Sequence, residues 1–313
     1  LARANPECLE LFQSSLMPKK PLLREGLAVA VDVGTTTVAV ALLDLSQGAI
    51  LSTESAYNAQ LRYGDNVIAR IAFAYGDAEK RKQLQKAILD ETVCPLIKDV
   101  CAKAKRDPLD VSLACFSGNT VMTHMLFGFD TDSLGQMPFE PYTHTYKKIS
   151  AAELGLPIMP EADVCASPSP SGFVGGDITS GIYVCELQKS HGVAMLIDLG
   201  TNCETTLFAN GTLTACASAA GPAFEGAGIE SGRRAAPGAI DKLKIDSETL
   251  KFSFSTIADA PADGLCGSAM IDFLAEGRKA GILNEFGRLD MALLEKHGRA
   301  MKAYGGINAC RID

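Results

Sequence analysis

The stretch "LAVAVDVGTTTVAVALLDL", Leu27–Leu45, decides the fold of this chain. Small and β-branched apolar residues run along both of its halves, which is typical of two paired, buried strands. A carboxylate, Asp32, and then a glycine followed by three threonines interrupt it near the middle. A charge and a row of hydroxyls are unfavourable in a buried hairpin unless the bend contacts a polar group. The stretch therefore predicts a hairpin whose bend carries a binding site.

A second stretch, "VAMLIDLGTNCETTLFANGTL", Val193–Leu213, repeats the same order of features. Asp198 lies 166 positions after Asp32 (198 − 32), and each aspartate follows an apolar run and precedes x-Gly-Thr. A further apolar run and a tight turn come next in both copies. The turn of the second copy is Asn-Gly, a strong hairpin signal between strands. The repeat predicts two related lobes, each of which opens with a hairpin.

Length and composition restrict the class of protein. The 313 residues are 47% apolar and 21% charged, which is typical of a globular chain large enough for two lobes. The net charge of −8 and the absence of Trp argue against nucleic acid or an anionic membrane as partner. No apolar run reaches the roughly 18 residues that span a bilayer, and no secretion signal is recognisable. We therefore expect a cytoplasmic protein.

The order of patterns along the chain predicts its organisation. We expect a leader or linker over residues 1–26, a first lobe over 27–188 and a second lobe over 189–313. Residues 79–93 carry the apolar stripe of a surface helix, which Pro95 should end or kink.

Two further segments of the first lobe have readable patterns. Residues 111–128 predict a buried strand, a Ser-Gly-Asn turn and a short apolar helix on which His124 is a core residue. Residues 171–188 predict a glycine-rich turn that leads into a helix with Asp177 as its N-cap.

The bend of each hairpin has the composition of an anion-binding loop. Glycine lets the backbone approach a ligand, while threonine hydroxyls and backbone N–H groups can surround an anion. Two such bends would hold a polyphosphate, and each would supply an aspartate that holds Mg²⁺ directly or through water. The alternative is that Asp32 and Asp198 only accept hydrogen bonds from turn amides.

Other ligand signatures are missing from the sequence. No C-x-x-C occurs among the ten cysteines and the four histidines are far apart, so no zinc or iron–sulfur spacing can be read. No G-x-x-x-x-G-K-[ST] occurs, which excludes a P-loop.

The two bends resemble known phosphate motifs. "DVGTTT" (32–37) and "DLGTN" (198–202) resemble those of the actin, heat-shock chaperone and sugar kinase superfamily. Longer blocks resemble the C-terminal ATPase domain of the reductive activators of corrinoid proteins, and the resemblance covers nearly all of residues 27–290. These blocks are "FSGNTVMTHMLFG", "GFVGGDITSGI", "AGPAFEGAGIESGRRAAPGAID" and "GLCGSAMIDFLAE". The implied fold is α/β with two ribonuclease H-like lobes, the second of which stops short of the family's C-terminal end.

The resemblance also implies a function. In that family, ATP binding and hydrolysis, with Mg²⁺, drive the reduction of Co(II) corrinoid to Co(I) on the corrinoid protein of a methyltransferase system. Electrons come from an N-terminal ferredoxin-like domain that holds a [2Fe–2S] cluster. The C-x4-C-x2-C spacing of such a domain is absent here, so we do not expect this chain alone to deliver electrons. A homodimer stays open.

Site residues follow from the resemblance, position by position. Asp32, Asp198 and Asn119 are the expected catalytic residues. Asp32 and Asp198 are also expected to bind Mg²⁺, and Asn119 is expected beside the γ-phosphate at the element that connects the lobes. Cys203 replaces the glycine that is usual after the second motif. The expected nucleotide-binding residues are Gly34, Thr35, Thr36, Thr37, Gly200, Thr201, Asn202, Gly221, Glu225, Gly226, Gly264, Gly267 and Ser268.

Two other functions remain open at this point. The generic phosphate motifs also suit a small-molecule kinase of the sugar or acetate kinase superfamily. A non-catalytic interaction fragment is the third possibility, because part of the second lobe is expected to be missing.

Overall fold

The structure is a computed structural model that describes residues 25–200, 202–219, 230–233, 235–302, 304–306 and 308–312. The chain divides into two compact units. The first contains the described residues through Ile197 together with Glu204–Ala217, and the second contains Asp198–Cys203 and the residues from Ser218 onward. The lobe boundary at 188/189 stays a prediction.

A six-stranded sheet forms the centre of the first unit, with strand order β3-β2-β1-β4-β6-β5. β1, β4 and β6 run parallel, whereas β2, β3 and β5 pair antiparallel to their neighbours. The strands are β1 (Leu27–Val33), β2 (Thr37–Asp44), β3 (Ala49–Tyr57), β4 (Val111–Gly118), β5 (Ile149–Ser150) and β6 (Asp163–Ala166). An antiparallel meander followed by parallel strands on its β1 side is the order expected of a ribonuclease H-like lobe.

The opening stretch forms the predicted hairpin. β1 and β2 pair from Leu27 opposite Asp44 to Val33 opposite Val38. Every second side chain at the end of β1 is buried, and Asp32 lies on the exposed side of the alternation. The bend consists of the four residues between the paired Val33 and Val38, where the sequence places its glycine and hydroxyls.

Helices pack on this sheet and complete the main core. That core contains the valines of β1 and β2 together with Leu84, Ile88 and Ile97 on the covering helices. The helices are α1 (Val67–Ala74), α2 (Ala78–Ile88), α3 (Cys94–Lys103), α4 (Thr120–Phe127), α5 (Ala151–Leu154) and α6 (Gly176–Val184).

The helix predicted over 79–93 is longer and less regular than expected. It begins at Ala78, widens into a π-helical turn over Leu89–Val93 and continues as α3. Pro95 does not end the helix, and the expected kink stays a prediction. Pro95 lies in the first turn of α3, and the Cys94 N–H donates to the Leu89 carbonyl, an i→i−5 bond. The wider turn changes the bonding where the proline cannot donate.

Residues 111–128 fold as predicted, into β4, a turn and α4. The glycine-rich segment also enters a helix, but its N-cap is Gly175 and Asp177 lies in the first turn, so the capping prediction was wrong. A Cβ at Gly175 would lie 2.5 Å from the Asn119 Cα, so this cap position is set by contact with another segment.

The second hairpin belongs to a sheet of three strands, β7 (Ala194–Leu199), β8 (Asn202–Ala209) and β9 (Thr212–Ala219). Asn210 and Gly211 have φ of 52° and 76°, the left-handed values that an Asn-Gly hairpin turn requires. Ile178 and Ile182 of α6 pack with Phe208 of β8 in a small separate core.

The second unit contains a mixed sheet with order β11-β10-β12 and a short antiparallel pair. Its core contains Leu243, Phe252, Ala269, Ile282 and Leu294. The elements are β10 (Ala239–Ile245), β11 (Phe252–Thr256), β12 (Gly264–Leu265), α7 (Gly267–Lys279), α8 (Met291–Lys296), β13 (Ala300–Lys302) and β14 (Asn308–Cys310). In the described ranges, no helix is both long enough and apolar enough to cross a bilayer.

Candidate functional site

The carboxyl ends of β1, β4 and β6 lie at one edge of the first sheet, because the three strands are parallel and adjacent. The register places Asp32 beside Ser117 and Val33 beside Gly118. The bend of the hairpin and the N-terminus of α4 therefore emerge next to each other. We call this place the edge site.

The bend of the first hairpin, Gly34–Thr37, is the first part of the edge site and is called the first loop. A Cβ on Gly34 would lie 2.2 Å from the Thr37 carbonyl oxygen, far inside van der Waals contact. Only glycine fits this closely folded bend. The glycine of D-x-G-T is thus explained by the loop itself.

The carbonyl groups of the first loop are held by two residues, Asn58 and Arg70. The Asn58 side-chain amide donates to the Gly34 carbonyl at 3.0 Å, and the Asn58 backbone N–H donates to the Thr36 carbonyl at 2.8 Å. The Arg70 guanidinium donates to the Thr35 carbonyl at 2.5 Å. Asn58 and Arg70 belong to one buried network, since both contact Gln60.

This arrangement orients the N–H groups of the first loop. The C=O and N–H of a trans peptide point in opposite directions, and the cis bond of the described chain is elsewhere, at Met137-Pro138. With the carbonyls of residues 34, 35 and 36 held by Asn58 and Arg70, the N–H groups of Thr35, Thr36 and Thr37 point away from that network. Successive N–H groups turned to one side form an anion-binding concavity.

Asn119 connects the first loop to α4. Its Oδ1 accepts from the Met122 N–H at 2.9 Å, which makes it the N-cap of the helix, and its Nδ2 donates to the Thr35 hydroxyl at 3.0 Å. The structure thus brings Asn119 to the residues predicted with it, 84 positions away in the sequence. The N-terminus of α4, with its partial positive charge, faces the same edge.

The N-terminus of α6 also reaches the edge site. Gly175 lies against the backbone of Asn119 and Thr120, and the Thr120 hydroxyl donates to the Ser171 carbonyl at 2.6 Å. The Ser180 hydroxyl, on α6, forms a hydrogen bond of 2.9 Å with the Ser117 hydroxyl, on β4.

The same Ser180 hydroxyl lies 2.8 Å from the hydroxyl of Ser167, which follows β6. One helix side chain therefore ties the ends of two parallel strands together. The second helix N-terminus is held in place by these contacts.

The edge site combines a buried positive charge with an exposed carboxylate. Arg70 is 0% exposed, and burial lowers its pKa to about 10, an effect that the nearby Asp65 opposes. It stays protonated at neutral pH. Asp32 is exposed at the end of β1. Donors directed to one side, next to a carboxylate, can hold an anion together with a hard cation.

The second hairpin has a tight bend of its own in the second unit. The Gly200 N–H donates to the Asn202 carbonyl at 2.9 Å, and Asn202 begins β8. Asp198 is exposed near the end of β7. Cys203, at the position where glycine is usual in the resembling family, is half-buried in β8.

The Gly264–Ser268 segment forms the entry to α7. The Ser268 hydroxyl donates to the Asp241 carbonyl at 2.6 Å, and the Cys266 N–H donates to the Ile240 carbonyl at 3.0 Å, so β10 holds the first turn of the helix. A Cβ on Gly264 would lie 3.0 Å from the Ser231 carbonyl oxygen and from the Arg233 Cβ. Gly267 is buried at the start of α7.

Four expected nucleotide-binding residues lie outside the described residues: Thr201, Gly221, Glu225 and Gly226. Their roles stay predictions, as do those of Asp198, Gly200, Asn202, Gly264, Gly267 and Ser268. The described first unit joins Asn119 to the first loop, while Asp32 lies on the strand that leads into it.

Sequence reasoning missed the network behind the first loop. Asn58, Gln60 and Arg70 are each 0% exposed, although their side chains are polar. The signal was available: "NAQ" follows β3 directly, and a single arginine interrupts the apolar run "VIARIAFA". A buried polar side chain needs partners, and these residues find them in the loop.

Comparison with known proteins identifies the family. Residues 27–190 match the family described as RACo middle region, and residues 192–308 match the C-terminal domain of RACo, the ASKHA domain. The chain belongs to the RACo family, the reductive activators of corrinoid proteins. The family predicted from the sequence is confirmed.

Relatives of this RACo family chain carry related names. It is 33% identical over 259 residues to the corrinoid activation enzyme RamQ of Eubacterium limosum, covering 83% of this chain and 43% of that protein. It is 22% identical over 323 residues to a [Co(II) methylated amine-specific corrinoid protein] reductase of Methanosarcina barkeri, covering 91% of this chain and 58% of that protein.

A solved structure titled reductive activator for corrinoid,iron-sulfur protein matches with a TM-score of 0.80 and 36% identity. The match covers 92% of this chain and 45% of that chain, and it confirms the predicted α/β fold of the actin and sugar kinase superfamily. The RACo family chain thus spans about half the length of the relatives it matches.

Proposed function

We propose that this chain is the ATP-binding and ATP-hydrolysing part of a reductive activator that drives Co(II) corrinoid to Co(I). One observation carries the proposal. The carbonyls of residues 34–36 are all held by Asn58 and Arg70, so the N–H groups of Thr35–Thr37 are presented together, beside Asp32 and the α4 N-terminus. That is the donor arrangement a nucleotide phosphate needs. Membership of the RACo family supports the choice of reaction.

The residues of the edge site have separate roles in this proposal. The first loop binds phosphate oxygens through its N–H groups, and Asn119 holds the Thr35 hydroxyl in position. Asp32, with Asp198 of the second motif, binds Mg²⁺ directly or through water. In the described residues, no three His, Cys, Asp or Glu side chains come together as a metal site. Mg²⁺ usually keeps several waters and phosphate oxygens, so one or two carboxylates suit it.

ATP acts on the corrinoid protein through a difference in affinity. A nucleotide can drive a partner only if it binds one conformation of the protein more tightly than another. Hydrolysis then returns the protein to the other conformation. The single electron that converts Co(II) to Co(I) comes from an iron–sulfur cluster whose ligand spacing this chain does not contain.

The test combines binding with activation in the full chain. Mg-ATP is titrated by calorimetry, and ATP-dependent formation of Co(I) on a corrinoid protein is followed by absorption with an electron donor present. We expect Asp32→Asn and Asp198→Asn to reduce ATP-dependent Co(I) formation at least tenfold with the fold intact. Asp99→Asn, which removes an exposed carboxylate on α3, is the control and should not change either measurement.

Two results would contradict the proposal. One is a wild-type protein that does not bind Mg-ATP. The other is ATP turnover that depends on an added sugar, acetate or glycerol and not on a corrinoid protein, which would indicate a small-molecule kinase.

A further inference from the structure

Arg70 is a fully buried charge whose hydrogen-bond partners are all neutral. It lies on α1, is 0% exposed, and is held by three neutral oxygens. Its Nε donates to the Gly64 carbonyl at 2.9 Å, one terminal nitrogen donates to the Gln60 Oε1 at 3.0 Å, and the other donates to the Thr35 carbonyl at 2.5 Å. The guanidinium therefore has one orientation, directed at the first loop.

The charge of Arg70 is not balanced within the described first unit. Within the part of the chain that the structure describes, no carboxylate lies within 4.0 Å of its nitrogens, the distance of an ion pair. Asp65 attracts it from a greater distance and is itself exposed. Burying a charge against neutral partners alone is costly. An anion bound nearby would offset part of the free energy that burying the guanidinium costs.

We propose that Arg70 is a positioning residue that supplies the buried positive charge for the phosphates at the first loop. The proposal rests on the proposed function, and it assigns the discrimination between charged and uncharged ligands to a side chain that touches none of them. The Thr35 carbonyl stands between the guanidinium and the ligand side of the loop.

The charge reaches the ligand through one peptide group. A guanidinium bonded to the Thr35 carbonyl polarises the peptide that joins Thr35 to Thr36, and the Thr36 N–H on its other end becomes a stronger donor. The effect is larger in a buried environment than in water. The added binding free energy also grows with the charge of the ligand. It should therefore be larger for a triphosphate than for a diphosphate, and absent for adenosine.

Two substitutions separate charge from shape. Arg70→Lys and Arg70→Gln both remove the fork of donors, but only the lysine keeps the charge. A merely structural role predicts the same ligand affinities for both variants. The control is Ser52→Ala, which removes a buried hydroxyl that donates to the Val100 carbonyl at 2.7 Å, on another part of the sheet.

The experiment measures binding of Mg-ATP, Mg-ADP and adenosine to the full chain of each variant by displacement of a fluorescent ATP analogue, with urea unfolding as the measure of stability. We expect Arg70→Gln to bind Mg-ATP about 10- to 100-fold more weakly than Arg70→Lys, with a smaller loss for Mg-ADP and equal binding of adenosine. Ser52→Ala should lower only the stability.

The other outcomes contradict either the role of Arg70 alone or both proposals. Equal Mg-ATP affinity of Arg70→Lys and Arg70→Gln, or an equal loss for all three ligands, overturns the role of Arg70 while the proposed function stands. If Arg70→Gln does not fold, Arg70→Lys decides, because it should keep the wild-type ratio of Mg-ATP to adenosine affinity, and a lost ratio overturns the role. A wild-type protein that binds neither Mg-ATP nor Mg-tripolyphosphate overturns both proposals.

Discussion

Asn119 carries two hydrogen bonds with different consequences, and two substitutions should separate them. Its Oδ1 caps α4 through the Met122 N–H, and its Nδ2 holds the Thr35 hydroxyl. Asn119→Ala removes both bonds. Asn119→Asp keeps the capping oxygen and replaces the amide by a carboxylate, which can still accept from the Thr35 hydroxyl but adds a negative charge at the edge site.

The two bonds set the expected magnitudes. Loss of an N-cap costs about 1 kcal/mol of stability, and loss of one further hydrogen bond costs about 1 kcal/mol. Asn119→Ala should therefore lower the free energy of unfolding by about 2 kcal/mol. Asn119→Asp should stay within about 0.5 kcal/mol of the wild type, since aspartate is as good an N-cap as asparagine and suits the helix dipole.

Ligand binding should follow the opposite order. A carboxylate about 6 Å from a phosphate charge costs about 3 kcal/mol at an effective dielectric constant near 20. Asn119→Asp should thus weaken Mg-ATP binding more than tenfold, and more than Asn119→Ala does. Urea unfolding and Mg-ATP calorimetry on the full chain give the two quantities.

A matched control exists on α1. Asn66 is its N-cap and accepts from the Ala69 N–H at 2.9 Å, but it is exposed. Asn66→Ala should cost about 1 kcal/mol, and Asn66→Asp should leave Mg-ATP binding unchanged. If Asn119→Asp binds Mg-ATP as tightly as the wild type, the first loop is not a phosphate site. If it is as unstable as Asn119→Ala, the capping argument is wrong.

Two further predictions concern the first unit. Burial lowers the pKa of His124 to about 4, with the bond to the Thr120 carbonyl opposing, so its stabilising neutral form is lost as the pH falls from 6.5 to about 4. Because the unfolded chain binds the proton first, the free energy of unfolding should fall by about 3 kcal/mol over that window, and His124→Gln should flatten the pH profile in urea titrations. Gly34→Ala brings a Cβ to 2.2 Å from the Thr37 carbonyl oxygen, so Mg-ATP binding should drop at least tenfold. Gly48→Asn, at a β-turn with open space around it, should bind Mg-ATP like the wild type, and an unaffected Gly34→Ala would refute the close-packed loop.

Local patterns were sufficient for the elements whose geometry is set within a few residues. The apolar runs in Leu27–Leu45 predicted β1 and β2, since small and β-branched apolar residues suit paired, buried strands. "FSGNTVMTHML" predicted the end of β4 and the helix that follows, because a Ser-Gly-Asn turn separates two apolar runs. The structure adds that Asn119 is the N-cap of that helix. His124 is buried at 0% exposure, as predicted from its place on that apolar helix.

One error arose where a distant segment sets the local geometry. The capping prediction for Asp177 considered only its own turn, whereas the contact of Gly175 with Asn119 sets where α6 begins. At Pro95 the cause is local, because the helix continues through a π-helical turn that precedes the proline.

The sequence shows which polar residues are present, but not which of them contact the first loop. D-x-G-T indicates a bend with a ligand, and the chain alone is enough for that because the bend needs only glycine and its own backbone. Arg70 contacts the loop from 35 positions away and Asn119 from 84, and both distances are bridged by strands and helices that pack on one core. The direction of the loop's N–H groups depends on tertiary packing and not on sequence spacing. Each loop carbonyl accepts a hydrogen bond from Asn58 or Arg70, and only the folded protein brings these donors to the loop.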